Sequence, residues 1–124
     1  MNYTECPCSG KNLAKLVRPS VLALLKSKPM HGYELAAEIQ KHGWTGPETP
    51  DLSGIYRVLA DCEKMGQVTS HWDTPERGGA KRVYSLTEEG DRCLQKWHET
   101  LSEYLVQLKK LDSYIIKQID NGTK

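Results

Sequence analysis

The chain has 124 residues, 27% charged and 38% hydrophobic, with a formal net charge of +1. That length sets an expectation of one domain with a modest core, to which burial against a second copy would add. No run of 18 apolar residues spans a membrane, and "MNYTECPCSGKNLAK" lacks the apolar centre of a signal peptide, so a cytoplasmic location is expected.

Residues 1–12 read as a loose N-terminal arm. Its Cys6 and Cys8 are close enough to share a soft metal, with Cys62, Cys93 or a histidine to complete the set. The four cysteines match no standard zinc spacing, so they do not define a metal site and no cofactor is expected. His31, His42, His71 and His98 show neither HxxxH nor HExxH spacing.

From Leu13 to Ser27 the apolar spacing predicts a first helix, with Pro19 marking its start or a bend. Ser27-Lys28-Pro29 reads as a turn. A second helix is predicted over 32–42, with Leu35, Ala36 and Ile39 buried and Gly43 as its stop. The "PMHGYEL" segment places a glycine where that helix begins. Gly32 leaves the first-turn N–H groups open to an anion. Tyr33 adds a hydroxyl donor and His31 a further hydrogen bond. The alternative is that Gly32 serves a tight turn and Tyr33 is a core ring.

The third helix is bounded by Asp51 as N-cap and Gly66 as stop. Leu52, Ile55, Leu59, Cys62 and Met65 recur at helical spacing and predict its buried face. The opposite face carries Ser53 and Gly54, then Tyr56, Arg57 and Lys64. It is read either as a contact surface for DNA or as an ordinary solvated face.

The period then changes from helical to alternating. Residues 68–72 and 82–86 read as two strands around a Gly78-Gly79 tip, a hairpin whose cations are Arg77, Lys81 and Arg82. From Thr87 a long helix is predicted. Leu94, Trp97, Leu101, Tyr104, Leu108, Leu111 and Ile115 follow in steps of three and four, a heptad seam that calls for a partner helix, most simply from a second copy. Trp97, at a d position, and Trp72, on the first strand, are candidates for stacking a small aromatic effector; plain packing is the alternative reading.

Helix, helix, helix, hairpin is the order of a winged helix-turn-helix. The expected fold is mainly α with a small β-hairpin, divided as arm (1–12), winged helix-turn-helix (13–86), C-terminal dimerisation helix (87–120) and tail (121–124). Residues 11–86 carry 11 Lys/Arg against 8 Asp/Glu, a mild basic excess in this part.

"VLALLKSKPMHGYEL", "SGIYRVLADCEKMGQV" and "ERGGAKRVYSLTEEG" resemble the three characteristic segments of PadR-type transcriptional regulators, over roughly residues 16–95. The resemblance implies a homodimeric repressor that binds double-stranded DNA and is often released by a small ligand. The single C-terminal helix is similar to the short branch of that family. Many members have proline after the third-helix tyrosine, where this chain has Arg57.

Two other functions fit the residues: a metal- or thiol-responsive DNA-binding sensor using Cys6 and Cys8, and a winged-helix module for protein–protein assembly. No nucleophile–base motif, phosphate loop or carboxylate pair points to an enzyme.

Overall fold

A computed structural model describes residues 16–46, 50–75 and 78–122. The N-terminal arm with Cys6 and Cys8, the predicted first-helix start at Leu13, and Arg77 lie outside the described residues. The order of elements is α1 (Val17–Ser27), β1 (Met30–His31), α2 (Gly32–His42), α3 (Leu52–Lys64), β2 (Val68–Asp73), β3 (Lys81–Leu86) and α4 (Glu88–Gly122). Residues up to Leu94 form one compact unit, and Gln95 onward a second. No helix among the described residues is long and apolar enough to cross a membrane.

Local chemistry accounts for the helix ends. Pro19 sits in the first turn of α1, where a backbone N–H has no intrahelical acceptor to lose. Gly43 ends α2 in the left-handed region (φ 73°). Its N–H reaches the Ile39 carbonyl at 2.9 Å. Asp51 caps α3 by accepting from the Ser53 N–H at 3.3 Å. Thr87 caps α4: its Oγ1 accepts from the Gly90 N–H at 3.0 Å and donates to the Gly66 carbonyl at 2.6 Å.

The core of the first unit draws on every element before α4. Val21, Leu22 and Leu25 of α1 meet Leu35, Ala36 and Ile39 of α2 and Ile55, Leu59 and Cys62 of α3, with Met30, Val68 and Tyr84 from the strands. Each fully buried Leu or Ile contributes about 1.5–3 kcal/mol of transfer free energy. The predicted α3 stripe holds at its centre and fails at its end. Met65 is 57% exposed, because the helix stops at Lys64 and Met65 is already its C-cap. Its sulfur lies 3.9 Å from Arg18 Nη1.

Arg18 joins α1 to the far end of α3. Its Nη2 pairs with Asp61, and Nη1 reaches Gln67 Oε1 at 3.4 Å and Cys62 Sγ at 3.5 Å. Partial burial works against the cation, but the Asp61 hydrogen bond and the neighbouring anionic groups outweigh it and raise its pKa.

The hairpin is one strand richer than expected. Met30 and His31, which the sequence leaves unassigned between the Ser27-Lys28-Pro29 turn and the second helix, form a two-residue strand on the open edge of β3. The sheet order is β1-β3-β2, all antiparallel, with Met30 opposite Tyr84 and Ser70 opposite the same residue on the other side. A two-residue strand has no period to detect, which is why the alternation in the sequence shows only the longer pair.

Candidate nucleic-acid interface

Three separate chain segments meet in one cleft. The start of α2 supplies His31 and Tyr33, the first half of α3 supplies Tyr56, and the wing supplies Trp72, Lys81, Arg82 and Tyr84 around a cavity of about 500 Å³. Tyr33 and Trp72 are 66% and 64% exposed, and Tyr56 is 40% exposed. Tyr33 is therefore not a core ring. Three large exposed aromatics beside cations form a surface suited to a partner that is both polar and flat.

Gly32 is where the structure differs most from the sequence expectation. It is buried, and the group that comes close to it is Tyr56 of the same chain. A β-carbon at position 32 would stand 2.5 Å from both Cζ and Oη of that phenol. The missing side chain thus lets the α3 tyrosine lie across the first turn of α2. His31 is likewise occupied. Its Nδ1 accepts from the Glu34 N–H at 3.3 Å, which caps α2, and its Nε2 faces Glu34 Oε1 at 3.1 Å. An accepting Nδ1 places the ring proton on Nε2.

On α3, Ser53, Arg57 and Lys64 are exposed, and Gly54 is half-buried with open space where a β-carbon would sit. The Ser53 backbone N–H donates to the Asp51 cap. On the wing, Lys81 is exposed, whereas Arg82 is engaged. Its Nη2 pairs with Glu63 Oε1 at 2.8 Å, its Nε donates to Ser70 Oγ at 2.9 Å, and Ser70 Oγ donates to Glu63 Oε2 at 2.5 Å. The guanidinium lies 6.0 Å from the ring centre of Trp72 and 5.7 Å from that of Tyr84. Both separations are at the outer reach of a cation–π contact.

Burial pushes the Cys62 thiol up, partly offset by the Arg18 cation. Among the described residues no group of three or more His, Cys, Asp or Glu is placed to hold a metal ion.

Residues 21–96 match the model of the transcriptional regulator PadR-like family. The chain belongs to that family. This PadR-like chain shares its fold with a candidate transcriptional regulator of Thermoplasma acidophilum (28% identity, TM-score 0.71, covering 82% of this chain and 94% of that one). It is also similar to a PadR family regulator of Eggerthella lenta (24%, TM-score 0.62, covering 78% and 85%). A third match is Bacillus subtilis PadR in complex with operator DNA (23%, TM-score 0.58, covering 66% and 46%). No curated protein matches.

In the PadR-like chain, Glu63, Ser70 and Tyr84 belong to the cleft's framework although the sequence reading named none of them. The signal was present for two. Pairing Ser70 with Tyr84 and Trp72 with Arg82 puts all four on one face of the hairpin, as period-2 alternation dictates. Glu63 carried no such signal, since only the packing of α3 against β2 brings it within reach.

Proposed function

We propose that the protein is a dimeric, sequence-specific DNA-binding repressor, cytoplasmic and without enzymatic activity. The supporting observation is the convergence of His31, Tyr33, Tyr56, Lys81 and Arg82, which come from three distant sequence segments, around one cleft. The fold shared with a PadR bound to operator DNA agrees with it. In this reading α3 enters a major groove and the wing follows the phosphates. Ser53 and the hydroxyls of Tyr33 and Tyr56 serve backbone oxygens, as do Lys64 and Lys81. Gly54 lets α3 approach closely, and Arg77 adds a cation at the tip. Two copies joined through α4 present two such helices about one DNA turn, ~34 Å, apart. The half-buried Trp97 on the seam offers a ring face to a planar effector that releases the complex.

Fluorescence anisotropy against duplexes tiled across the DNA flanking its own reading frame tests the reading. Tight binding of one fragment, weakening steeply with salt, is expected. Failure to bind any duplex at low salt would favour a protein-assembly role instead.

Two substitutions refine it. Arg57 is the cation best placed on the free face of α3 to read a guanine edge with its two-pronged donor. Arg57→Ala should cost about 1–3 kcal/mol on the best site and flatten the preference among site variants. Equal losses on every duplex would reassign Arg57 to phosphate. Gly32→Ala should displace the Tyr56 phenol, since the methyl group and the ring cannot share the space. A binding loss of about 1–3 kcal/mol, the scale of one hydrogen bond to a charged group, is expected with little change in melting temperature. Unchanged DNA affinity would show that Tyr56 does not act in binding.

A further inference from the structure

The Glu63–Ser70–Arg82 network places an anion beside a surface proposed to meet phosphates. Glu63 and Arg82 retain 31% and 43% of their side-chain exposure, so neither is sealed in the core. A carboxylate near phosphate would repel DNA unless neutralised, and Arg82 neutralises it. The guanidinium uses Nε for Ser70 and Nη2 for Glu63, and both carboxylate oxygens are taken, one by Arg82 and one by Ser70. This closed triangle fixes Arg82 from two directions and ties the end of α3 to the two strands of the wing. Lys81, next in sequence, is exposed and has no such bond among the described residues.

We infer that Glu63 is a positioning residue that limits the wing's affinity for DNA of any sequence: by holding Arg82 against Ser70 it keeps one wing cation off the phosphates. Phosphate contacts strengthen binding to every sequence alike, whereas discrimination comes from the base edges. Withholding a cation therefore lowers the affinity for every duplex by the same factor, preferred or not, without touching the groups on α3 that read bases. The same triangle sets the angle between wing and α3, so the cations that do reach the backbone arrive in register. This role rests on the DNA-binding reading above.

The test compares wild type, Glu63→Gln, Glu63→Ala, Arg82→Ala and the double variant Glu63→Gln/Arg82→Ala. Each is titrated into its preferred duplex and a scrambled duplex between about 50 and 200 mM salt. Thermal melting confirms that each variant is folded, and the two Glu63 replacements guard against a glutamine that still accepts from Arg82. Freed from Glu63, Arg82 should add one phosphate contact. The log–log salt slope should steepen by about 0.9 for each bound subunit, and the scrambled duplex should bind roughly five- to tenfold tighter at low salt. The preferred duplex should tighten by the same factor, leaving the ratio of the two affinities unchanged. The double variant should return to the wild-type slope, while Arg82→Ala alone should weaken binding and leave the slope unchanged.

Two results would overturn the role while leaving the DNA reading intact. One is an unchanged slope in both Glu63 variants. The other is a slope about one contact shallower in Arg82→Ala, which would show that Arg82 already holds a phosphate in the complex. Wild-type protein that binds neither duplex removes the DNA reading itself, and this role with it.

Discussion

Leu108→Asp should convert the protein to a monomer at micromolar concentration and weaken DNA binding at least about a hundredfold. From Gln95 onward α4 is a single helix with Leu101, Leu108, Leu111 and Ile115 all more than a third exposed. These side chains keep the three–four spacing of a helix seam, and a two-fold partner would cover each of them twice. Burying one leucine is worth about 1.5–3 kcal/mol, so its loss from both copies removes roughly 3–6 kcal/mol. That is about two to four decades in the dimer dissociation constant, before the cost of stripping water from a carboxylate is added. A monomer meets one half-site only, hence the loss on DNA. Sedimentation equilibrium measures the first effect and anisotropy the second, with Lys110→Asp, one position off the seam, as the control that should stay dimeric. A Leu108→Asp protein still dimeric at micromolar concentration would remove the seam from the interface.

Gly90→Ala should be the most damaging single methyl group in the first unit. A β-carbon there would overlap the Gln67 carbonyl oxygen and lie 2.6 Å from Leu86 Cδ1. Neither neighbour can retreat easily. The Gln67 oxygen accepts from the Thr87 N–H at 3.1 Å, and Thr87 Oγ1 is bonded at once to the Gly66 carbonyl and the Gly90 N–H. Overpacking of this kind costs about 1–3 kcal/mol and occasionally more, against which the better helix propensity of alanine returns up to about 1 kcal/mol. The net cost of up to about 3 kcal/mol lowers the melting temperature by up to roughly 15 °C for a domain of this size. Gly79→Ala, where a β-carbon meets nothing within 4 Å, is the reference and should be close to neutral. Equal stability of the two variants would mean that the start of α4 is not seated as described.

Gly90 also shows what could be read from residues alone. Thr87 and the acidic Glu88 and Glu89 mark the start of α4, and Asp51, Gly43 and Gly66 mark other helix ends, because caps and stops act through neighbours in the chain. The winged order of elements follows from the same local signals. What Gly90 and Gly32 make room for was not legible. The Gln67 carbonyl and the Tyr56 ring arrive from distant segments, and sequence shows only that a side chain is missing. The fate of His31 and Arg82 was hidden for a related reason. Both looked free for a partner, yet one caps its own helix and the other answers a carboxylate 19 residues away. The apolar period continues one residue past the point where the helix stops, so the sequence puts Met65 on the buried stripe whereas the structure leaves it exposed.

The short strand β1 gives the wing two widths. Alongside Val83 and Tyr84 the ribbon is three strands across, whereas Lys81 and Arg82 are paired on one side only. Outside Val83 the Glu63–Ser70–Arg82 bonds take over in holding the ribbon to α3. Lys81, beyond that triangle, is left to adjust to an uneven duplex while the root, stitched to the residues that lead into α2, stays put.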